Sequence, residues 1–262
     1  MSTVDPTAPP LDAPAPHTDL SGRRRLVAAG NFFFRWRNHI FPLAFALLWV
    51  LSRPHPAFGS FRADAVVDVA GFAIALCGQI LRAGAIGYAY IIRGGKKRRI
   101  HADALVQEGL FAHSRNPLYV GNFLVFLGLF VMIHSPLGYA VGVPFFAFAY
   151  VAIVAAEEDF LLRRFGDVYA DYCRRVNRFL PSLGGMRHTL RSMHFDLGRL
   201  VRKEYGSTFT WLTLALAIEA REQIAWHGVR EARPVLAGLF GAFVVLVIAY
   251  ATARFLKKTR RM

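Results

Sequence analysis

The sequence predicts an all-α, polytopic membrane protein, a bundle of about six transmembrane helices with both termini in the cytoplasm. Two observations indicate this class. The 262 residues are 55% hydrophobic and include 23 phenylalanines, whereas soluble domains usually reach an apolar share of ~45–50%. The net charge is +15, and the basic residues cluster between apolar runs, as they do in membrane proteins. Nucleic-acid binders instead carry their basic residues on one polar face. We therefore expect anionic membrane lipids, and no nucleic acid, as partners.

The N-terminal 30 residues are predicted to be a disordered tail that ends in basic residues. Residues 1–22 hold five of the 13 prolines and almost no large apolar side chains. Such a stretch buries too little surface to offset the entropy of ordering it. It also lacks the apolar segment of a signal peptide, so nothing in it predicts secretion.

Six apolar segments approach or meet the length of a transmembrane helix, because a bilayer core about 30 Å thick requires about 20 helical residues. The first and fifth are short and need flanking residues to span. The segments are 38–52, 66–92, 118–134, 137–156, 207–220 and 234–255. Only Ser135 and Pro136 separate the third from the fourth, so we expect those two helices to form a tight hairpin.

The distribution of basic residues sets the predicted orientation. If both termini lie on one side, that side collects all but six of the 32 Lys and Arg residues. Cytoplasmic loops carry such an excess of positive charge. The remaining six are Arg53, Arg62, Arg221, Arg230 and Arg233 on the opposite side and Arg82 within a span.

Three polar residues fall inside predicted spans, namely Asp68, Gln79 and Arg82. A charge is costly in hydrocarbon, so these side chains must face protein or water. Two interpretations stay open: structural roles, with Arg82 reaching out to the interface, or the lining of a transport path. The two cysteines, Cys77 and Cys173, form neither a disulfide framework nor a zinc motif, and we predict no metal site.

The first segment that could form part of a functional site is GLFAHSRNPLYVG, residues 109–121. Asn116 is suited to cap a helix and Pro117 to its first position, so the helix presents free amides and a positive dipole end at the membrane surface. Neighbouring residues add a cation, a ring and a gap for close approach: Arg115, Tyr119 and Gly121. This is either a ligand site or the plain start of a transmembrane helix. His113 is interpreted as an ordinary loop histidine.

The second segment is EEDFLLRRFGDVYADYCRRVNRFLP, residues 157–181. Its acids follow an apolar span at what we expect to be the helix C-terminus, where the dipole disfavours anions. Asp159 can pair with Arg163 four residues later. Glu157 and Glu158 are left to meet a cation, either a ligand ammonium or a nearby arginine.

Beyond Gly166, apolar and aromatic residues recur at helical spacing opposite a row of arginines. They are Tyr169, Tyr172, Cys173 and Val176, against Arg174, Arg175 and Arg178. This pattern is typical of an amphipathic interfacial helix. Its tyrosines either pack or wall a pocket at the edge of the bilayer.

Together the two segments resemble a known superfamily. The patterns are G-x-F-x-x-x-R-N-P-x-Y-x-G at 109–121 and E-E-x-x-L-x-x-x-F-G-x-x-Y-x-x-Y-x-x-x-V-x-R-x-x-P at 157–181. They resemble the isoprenylcysteine carboxyl methyltransferase and phospholipid methyltransferase superfamily of integral-membrane enzymes, over about residues 75–182. The resemblance implies a methyltransferase core at 31–182 and leaves 183–262 as a C-terminal extension with an interfacial segment and two further spans.

The resemblance also implies S-adenosylmethionine as methyl donor and a lipophilic acceptor, a carboxylate, thiol or lipid amine, that enters from the bilayer. By position, it implies two catalytic residues, Arg115 and Glu158. It implies as cofactor-binding residues Asn116, Pro117, Leu118, Tyr119, Gly121, Glu157, Tyr169 and Tyr172. Members of the family commonly have His at the position of Asn116 and Pro at that of Leu110, and because Asn does not titrate, a base role does not transfer to residue 116.

Methyl transfer from a sulfonium is an in-line displacement, so the protein must mainly align the reactants and exclude water. A carboxylate or thiolate acceptor needs no base, whereas an amine would make Glu158 the preferred proton acceptor. Two alternatives come from other classes: a sterol-reductase-like NADPH-dependent membrane oxidoreductase, and a non-enzymatic membrane or transport protein.

Overall fold

The computed structural model describes residues 20–88, 93–96, 99–102 and 104–259. These residues are almost wholly helical, which confirms the predicted all-α bundle. The α-helices are α1 (Leu20–Leu51), α2 (Phe61–Tyr88), α3 (Pro117–Ile133), α4 (Val143–Arg175), α5 (Met186–Ser192) and α6 (Leu197–Lys258). A short antiparallel hairpin of β1 (Arg93–Lys96) and β2 (Arg99–Ala102) is the exception, and it pairs Gly94 with His101.

Helix α6 is folded back on itself at Gly228, whose φ of 71° and ψ of 163° are not helical. Residues at similar distances before and after this glycine meet: the ring of Tyr250 lies 5.2 Å from that of Tyr205 and 4.7 Å from that of Phe209. Near the open end, the Lys257 ammonium donates to the Arg202 carbonyl at 3.1 Å. Two antiparallel arms, residues 197–227 and 229–258, therefore make up α6.

As far as the chain is described, each predicted span falls largely on a helix; residues 89–92, the end of the second span, lie outside the described residues. Three described stretches are long and apolar enough to cross a membrane by length and composition: α2, residues Gly138–Arg175 and α6. Helix α3 is a shorter apolar helix of 17 residues. The first predicted span lies in α1, which is not one of these three stretches, and the fifth and sixth lie in the two arms of α6. The predicted α3–α4 hairpin is confirmed by a short connection that turns at His134, in the left-handed region at φ 34°.

Small residues bring α2 and α3 into close contact. A Cβ added to Gly128 would lie 2.4 Å from the carbonyl oxygen of Gly71 and 2.5 Å from the nitrogen of Ala75. One level along, a Cβ on Gly121 would lie 2.7 Å from the carbonyl oxygen of Gly78. Glycines at such spacing let two helix backbones approach closely. Close packing matters between membrane helices because lipid tails are as apolar as the side chains, so the hydrophobic effect does not drive the helices together.

An aromatic core fastens α1 to α3 and α4. The rings of Phe126 and Phe146 stack at 4.0 Å, and Phe41 meets Phe146 edge to face at 5.2 Å. Phe45 lies 5.4 Å from Phe130. Offset and edge-to-face pairs of this kind add to the stability gained from burying the rings. The core leaves the space between α1 and the first arm of α6 unfilled.

Two boundaries differ from the prediction. Residues 20–30 were assigned to the disordered tail but form the first turns of α1, while residues 1–19 lie outside the described residues. Helix α4 does not end before the Glu pair but continues to Arg175, with a break at Gly166, where φ is 53° and ψ −128°. Glu157 and Glu158 therefore lie within a helix, and the expected conflict with a helix C-terminus does not arise. The predicted interfacial helix is the last part of α4.

Candidate active site

The two motif segments are fastened side by side by their backbones. The Arg115 N–H donates to the carbonyl of Asn177 at 2.9 Å, and the Ser182 N–H donates to that of His113 at 2.9 Å. His113 is more than a loop histidine, because its buried ring bridges the Ser182 carbonyl at 2.7 Å and the Thr189 hydroxyl at 2.9 Å. The chain from 113 to 116 is thus held against the end of the second motif.

Asn116 occupies the N-cap position of α3, with Pro117 as the first helical residue, as predicted. Its side chain, however, makes no capping hydrogen bond. The amide Nδ2 instead donates to the carbonyl of Arg178 at 3.1 Å and lies 3.5 Å from Oε1 of Glu158. Asn116 therefore ties the first motif to the second, and the predicted capping role is wrong.

Glu158 is held between two arginines. Nε of Arg178 donates to Oε2 at 2.9 Å, with Nη2 in contact with the same oxygen, and Nη1 of Arg115 lies 3.5 Å from Oε1. The hydrogen bond to Glu158 is the main reason that the pKa of Arg178 is raised. Of the two partners left open for this acid, a nearby arginine is the one found. Sequence reasoning missed the role of Arg178, although its place in the second motif was a usable signal.

Glu157 is oriented by a short relay. The Tyr119 hydroxyl donates to Oε1 of Glu157 at 2.6 Å, and Nη1 of Arg37 donates to the Tyr119 hydroxyl at 3.2 Å. Glu157 is only 6% exposed, so its carboxylate is directed by protein contacts and not by bulk water. Arg37 comes from α1 and was not among the predicted residues.

These side chains border a cavity of about 1080 Å³ between α1, α2, α3, α4 and the first arm of α6. Arg37 and Trp49 both line it and are twelve residues apart on α1, so it is about 18 Å long. Its polar end is lined by Arg37, Arg82, Asn116, Tyr119, Glu157, Asp196, Arg199, Arg202, Lys203 and Glu204. Its apolar end is lined by Phe41, Phe45, Trp49, Phe126, Tyr150 and Leu214.

The first arm of α6 completes the polar end through an ion pair with α2. Arg82 donates from Nε and Nη2 to the two oxygens of Glu204 at 2.8 and 2.6 Å. Gln79 donates to Oε2 of Glu204 at 3.2 Å and accepts from the Trp211 indole at 3.0 Å. Bidentate pairs of this kind are strong and directional. Arg82 and Gln79 therefore have the structural roles that one of the two interpretations assigned them.

Asp196 begins this arm and lies at the mouth of the cavity. Its carboxylate accepts the backbone N–H of Arg199 at 2.7 Å, and this hydrogen bond is the main reason that the pKa of Asp196 is lowered. Its own N–H donates to the carbonyl of Gly87 at 3.0 Å. The cap thus joins the C-terminal extension to the end of α2, a contact that the resemblance, which ends near residue 182, did not predict.

Four of the predicted cofactor residues line the cavity: Asn116, Leu118, Tyr119 and Glu157. The predicted catalytic pair, Arg115 and Glu158, and Pro117 are not among its lining residues. Gly121 faces α2, where a Cβ would lie 2.6 Å from Cγ of Arg82. The gap that Gly121 provides is therefore filled by α2.

Tyr169 and Tyr172 were predicted to close the pocket, but both belong to a separate apolar cluster with Ala102, Leu161 and Val176. The Tyr172 hydroxyl donates to the carbonyl of Phe111 at 2.6 Å. Because Phe111 does line the cavity, these tyrosines support its wall from behind.

Comparison with known proteins finds a family match over part of the chain. Residues 68–168 match the phospholipid methyltransferase family. An 81-residue stretch is 40% identical to a cobalt-zinc-cadmium resistance protein of Cupriavidus metallidurans, covering 31% of this chain and 37% of that protein. An 83-residue stretch is 37% identical to a nickel-cobalt-cadmium resistance protein of Alcaligenes xylosoxydans xylosoxydans, covering 32% and 38%.

A third relative is the protein-S-isoprenylcysteine O-methyltransferase of Xenopus laevis, which is 28% identical over 127 residues, or 46% of this chain and 43% of that protein. The matches thus span less than half the length of each relative. No solved structure matches the chain at a significant level. Residues 68–168, which include the Arg-Asn-Pro turn and the Glu pair, therefore match the phospholipid methyltransferase family that the two motifs resemble.

Proposed function

We propose that this protein is an integral-membrane methyltransferase that moves a methyl group from S-adenosylmethionine to a lipophilic acceptor. One observation carries the proposal: both family motifs meet at the polar end of a cavity whose other end is aromatic and apolar. A soluble cofactor suits the first end, and the tail of an amphiphile suits the second.

The size and charge of the cavity fit such a pair of ligands. About 1080 Å³ is slightly more than the ~300–1000 Å³ usual for a single small-molecule site, so the cavity has room for a cofactor and part of an acceptor. S-adenosylmethionine carries an ammonium and a sulfonium, for which Glu157 is the buried carboxylate at hand. The carboxylate of S-adenosylmethionine would pair with Arg199 or Arg202 at the mouth of the cavity.

The cofactor, when bound, supplies a methyl group on a positively charged sulfur. The residues of the chain would do the rest: Glu157 and Tyr119 hold the cationic ligand, and the rings of Phe41, Phe126 and Tyr150 keep water from the acceptor. Water exclusion strengthens the electrostatic interactions within a site. Glu158 was the preferred base, but its oxygens already face Arg178 and Arg115, so we assign it to positioning the second motif and assign Glu157 to the ligand.

The charge balance of the cavity favours an acceptor with an anionic group. Its cations outnumber its acids by five to three: Arg37, Arg82, Arg199, Arg202 and Lys203 against Glu157, Asp196 and Glu204. A carboxylate, a thiolate or a phospholipid phosphate would use this excess. The excess of basic residues on the loops at this end further supports a polar mouth that opens to the cytoplasm.

The test is to incubate the protein, purified into lipid nanodiscs, with methyl-labelled S-adenosylmethionine and a total lipid extract, and to find which lipid fraction becomes labelled. We expect label in a lipid fraction whose molecules carry an anionic group, either in the headgroup or at the end of the acyl chain. No labelled fraction, combined with thermal stabilisation by NADPH and not by S-adenosylmethionine, would refute the proposal in favour of a reductase.

A further inference from the structure

A second cluster of ionisable side chains lies at the opposite end of the bundle from the candidate active site. Asp64 and Asp68 come from the first turns of α2, and Glu222 comes from the first arm of α6 near its turn at Gly228. One carboxylate oxygen from each of the three lies within 4.8 Å of the others. None of the three lines the cavity described above.

The protein contacts of this carboxylate cluster (Asp64, Asp68 and Glu222) do not satisfy its charge. Asp64 is 1% and Glu222 3% exposed. Oε2 of Glu222 and Oδ1 of Asp68 are buried, and neither has a hydrogen-bond partner among the described residues. Buried acids without partners are destabilising, and neighbouring carboxylates repel one another. Something that the chain itself does not supply must balance them.

The neighbouring basic side chains reach only one of the three acids. Nε2 of His134 lies 3.3 Å from Oδ1 of Asp64 and also contacts the carbonyl of His55, while Nδ1 lies 2.9 Å from the carbonyl of Met132. Of the three acids, the His134 ring therefore faces Asp64.

Arg221 is adjacent in sequence to Glu222 but forms its hydrogen bonds with α1. Its guanidinium donates to the carbonyls of Trp49, Val50 and Ser52, which are the unpaired groups at the end of α1. Glu219, one turn before Glu222, adds a further acid nearby and accepts a hydrogen bond from Gln223 at 2.8 Å. Asp64 thus has His134 as a partner, whereas no basic side chain among the described residues forms an ion pair with Asp68 or Glu222.

We propose that Asp64, Asp68 and Glu222 bind one divalent cation. Three oxygens no more than 4.8 Å apart place a common centre at most about 2.8 Å from each, close to the ~2.3–2.6 Å of Ca²⁺ ligands. A donor set made only of carboxylate oxygens selects hard cations such as Ca²⁺, Mg²⁺ or Mn²⁺ over softer metals. Asp68 is only partly buried, which gives the ion a route in. The bound ion would join the start of α2 to α6, where Phe61 already meets Trp226.

The test uses Mn²⁺ alone as the probe, with the protein in nanodiscs and no methyl donor. We expect one Mn²⁺ per chain by electron paramagnetic resonance, displaced by Ca²⁺, and a rise in Tm on adding it. Asp68→Asn and Glu222→Gln should each weaken Mn²⁺ binding by about tenfold or more, because each removes a charged ligand. Glu219→Gln is the matched control: because Glu219 is not one of the three ligands, this change should weaken binding far less than Asp68→Asn or Glu222→Gln.

Loss of Mn²⁺ binding in these variants cannot be explained by unfolding, because removing a buried, unpaired acid relieves repulsion in the folded protein. In EDTA, Asp68→Asn and Glu222→Gln should unfold at a Tm no lower than that of the unaltered protein. The inference is overturned if the unaltered protein binds no Mn²⁺ at millimolar concentration, since the cluster must then hold protons. It is also overturned if Glu219→Gln loses binding as fully as the ligand variants do. The candidate active site lies at the other end, so failure here leaves the proposed methyl transfer untouched.

Discussion

Gly121→Ala tests whether this glycine serves helix packing or a ligand. The new Cβ would lie 2.6 Å from Cγ of Arg82 and 2.7 Å from the carbonyl oxygen of Gly78. Arg82 can shift, but the backbone of α2 cannot move without separating the two helices. Overpacking of this kind costs about 1–3 kcal/mol, and the better helix propensity of Ala returns about 0.5–1 kcal/mol. We expect a net loss of about 1–2 kcal/mol, which corresponds to a fall in Tm of roughly 2–8 °C.

Thermal unfolding in detergent, followed by circular dichroism, measures this change. Gly206→Ala is the control, because Gly206 lies within α6 and a Cβ there meets nothing within 4 Å. It should raise stability by about 0.5–1 kcal/mol. Affinity for S-adenosylmethionine in the folded Gly121→Ala protein should be nearly unchanged. An unchanged Tm together with lost cofactor binding would refute the packing role.

Three further changes probe the polar end. Tyr119→Phe removes the hydroxyl between Arg37 and Glu157 and should weaken cofactor binding, measured by calorimetry, by about 1–2 kcal/mol; unchanged affinity would contradict the relay. Arg178→Ala should cost about 1–2 kcal/mol of unfolding free energy, less than a fully buried pair because Arg178 is partly exposed; an unaltered Tm would contradict the clamp on Glu158. The lowered pKa of Asp196 means that its cap is present above about pH 4 and is lost as pH falls further, so hydrogen exchange at the Arg199 amide should accelerate only in acid.

The convergence of the two motifs was predictable from the sequence. Both adjoin helices of one tight hairpin, so the Arg-Asn-Pro turn at the start of α3 and the Glu pair on α4 had to meet on one side of the membrane. The structure brings Tyr119 to Glu157 and Arg115 to Glu158. Which acid faces the cavity was not predictable, because adjacent residues on a helix point about 100° apart and the sequence does not fix the rotation of α4.

The wall contributed by α6 was missed because it depends on long-range pairing. Glu204 stands among basic residues and looks like a solvated charge, yet Arg82 within a span needed a partner, and that need was a usable signal. Gly121 was assigned to a ligand, and the structure places α2 against it: a glycine on a helix indicates a close approach but does not say whether a ligand or another helix makes it. The carboxylate cluster joins α2 to α6 with no local motif, so spacing rules could not find it.

The most direct test of the central claim is the affinity for S-adenosylmethionine of the Glu157→Gln protein in nanodiscs, compared with that of Asp159→Asn. Asp159 is two residues away on α4 but pairs with Arg163 at 2.6 Å and does not line the cavity. If Glu157 holds the cationic end of the donor, its neutralisation should weaken binding by about tenfold or more, while Asp159→Asn binds as the unaltered protein does. Equal affinities of all three proteins would contradict the claim that the methyl donor binds at this end of the cavity.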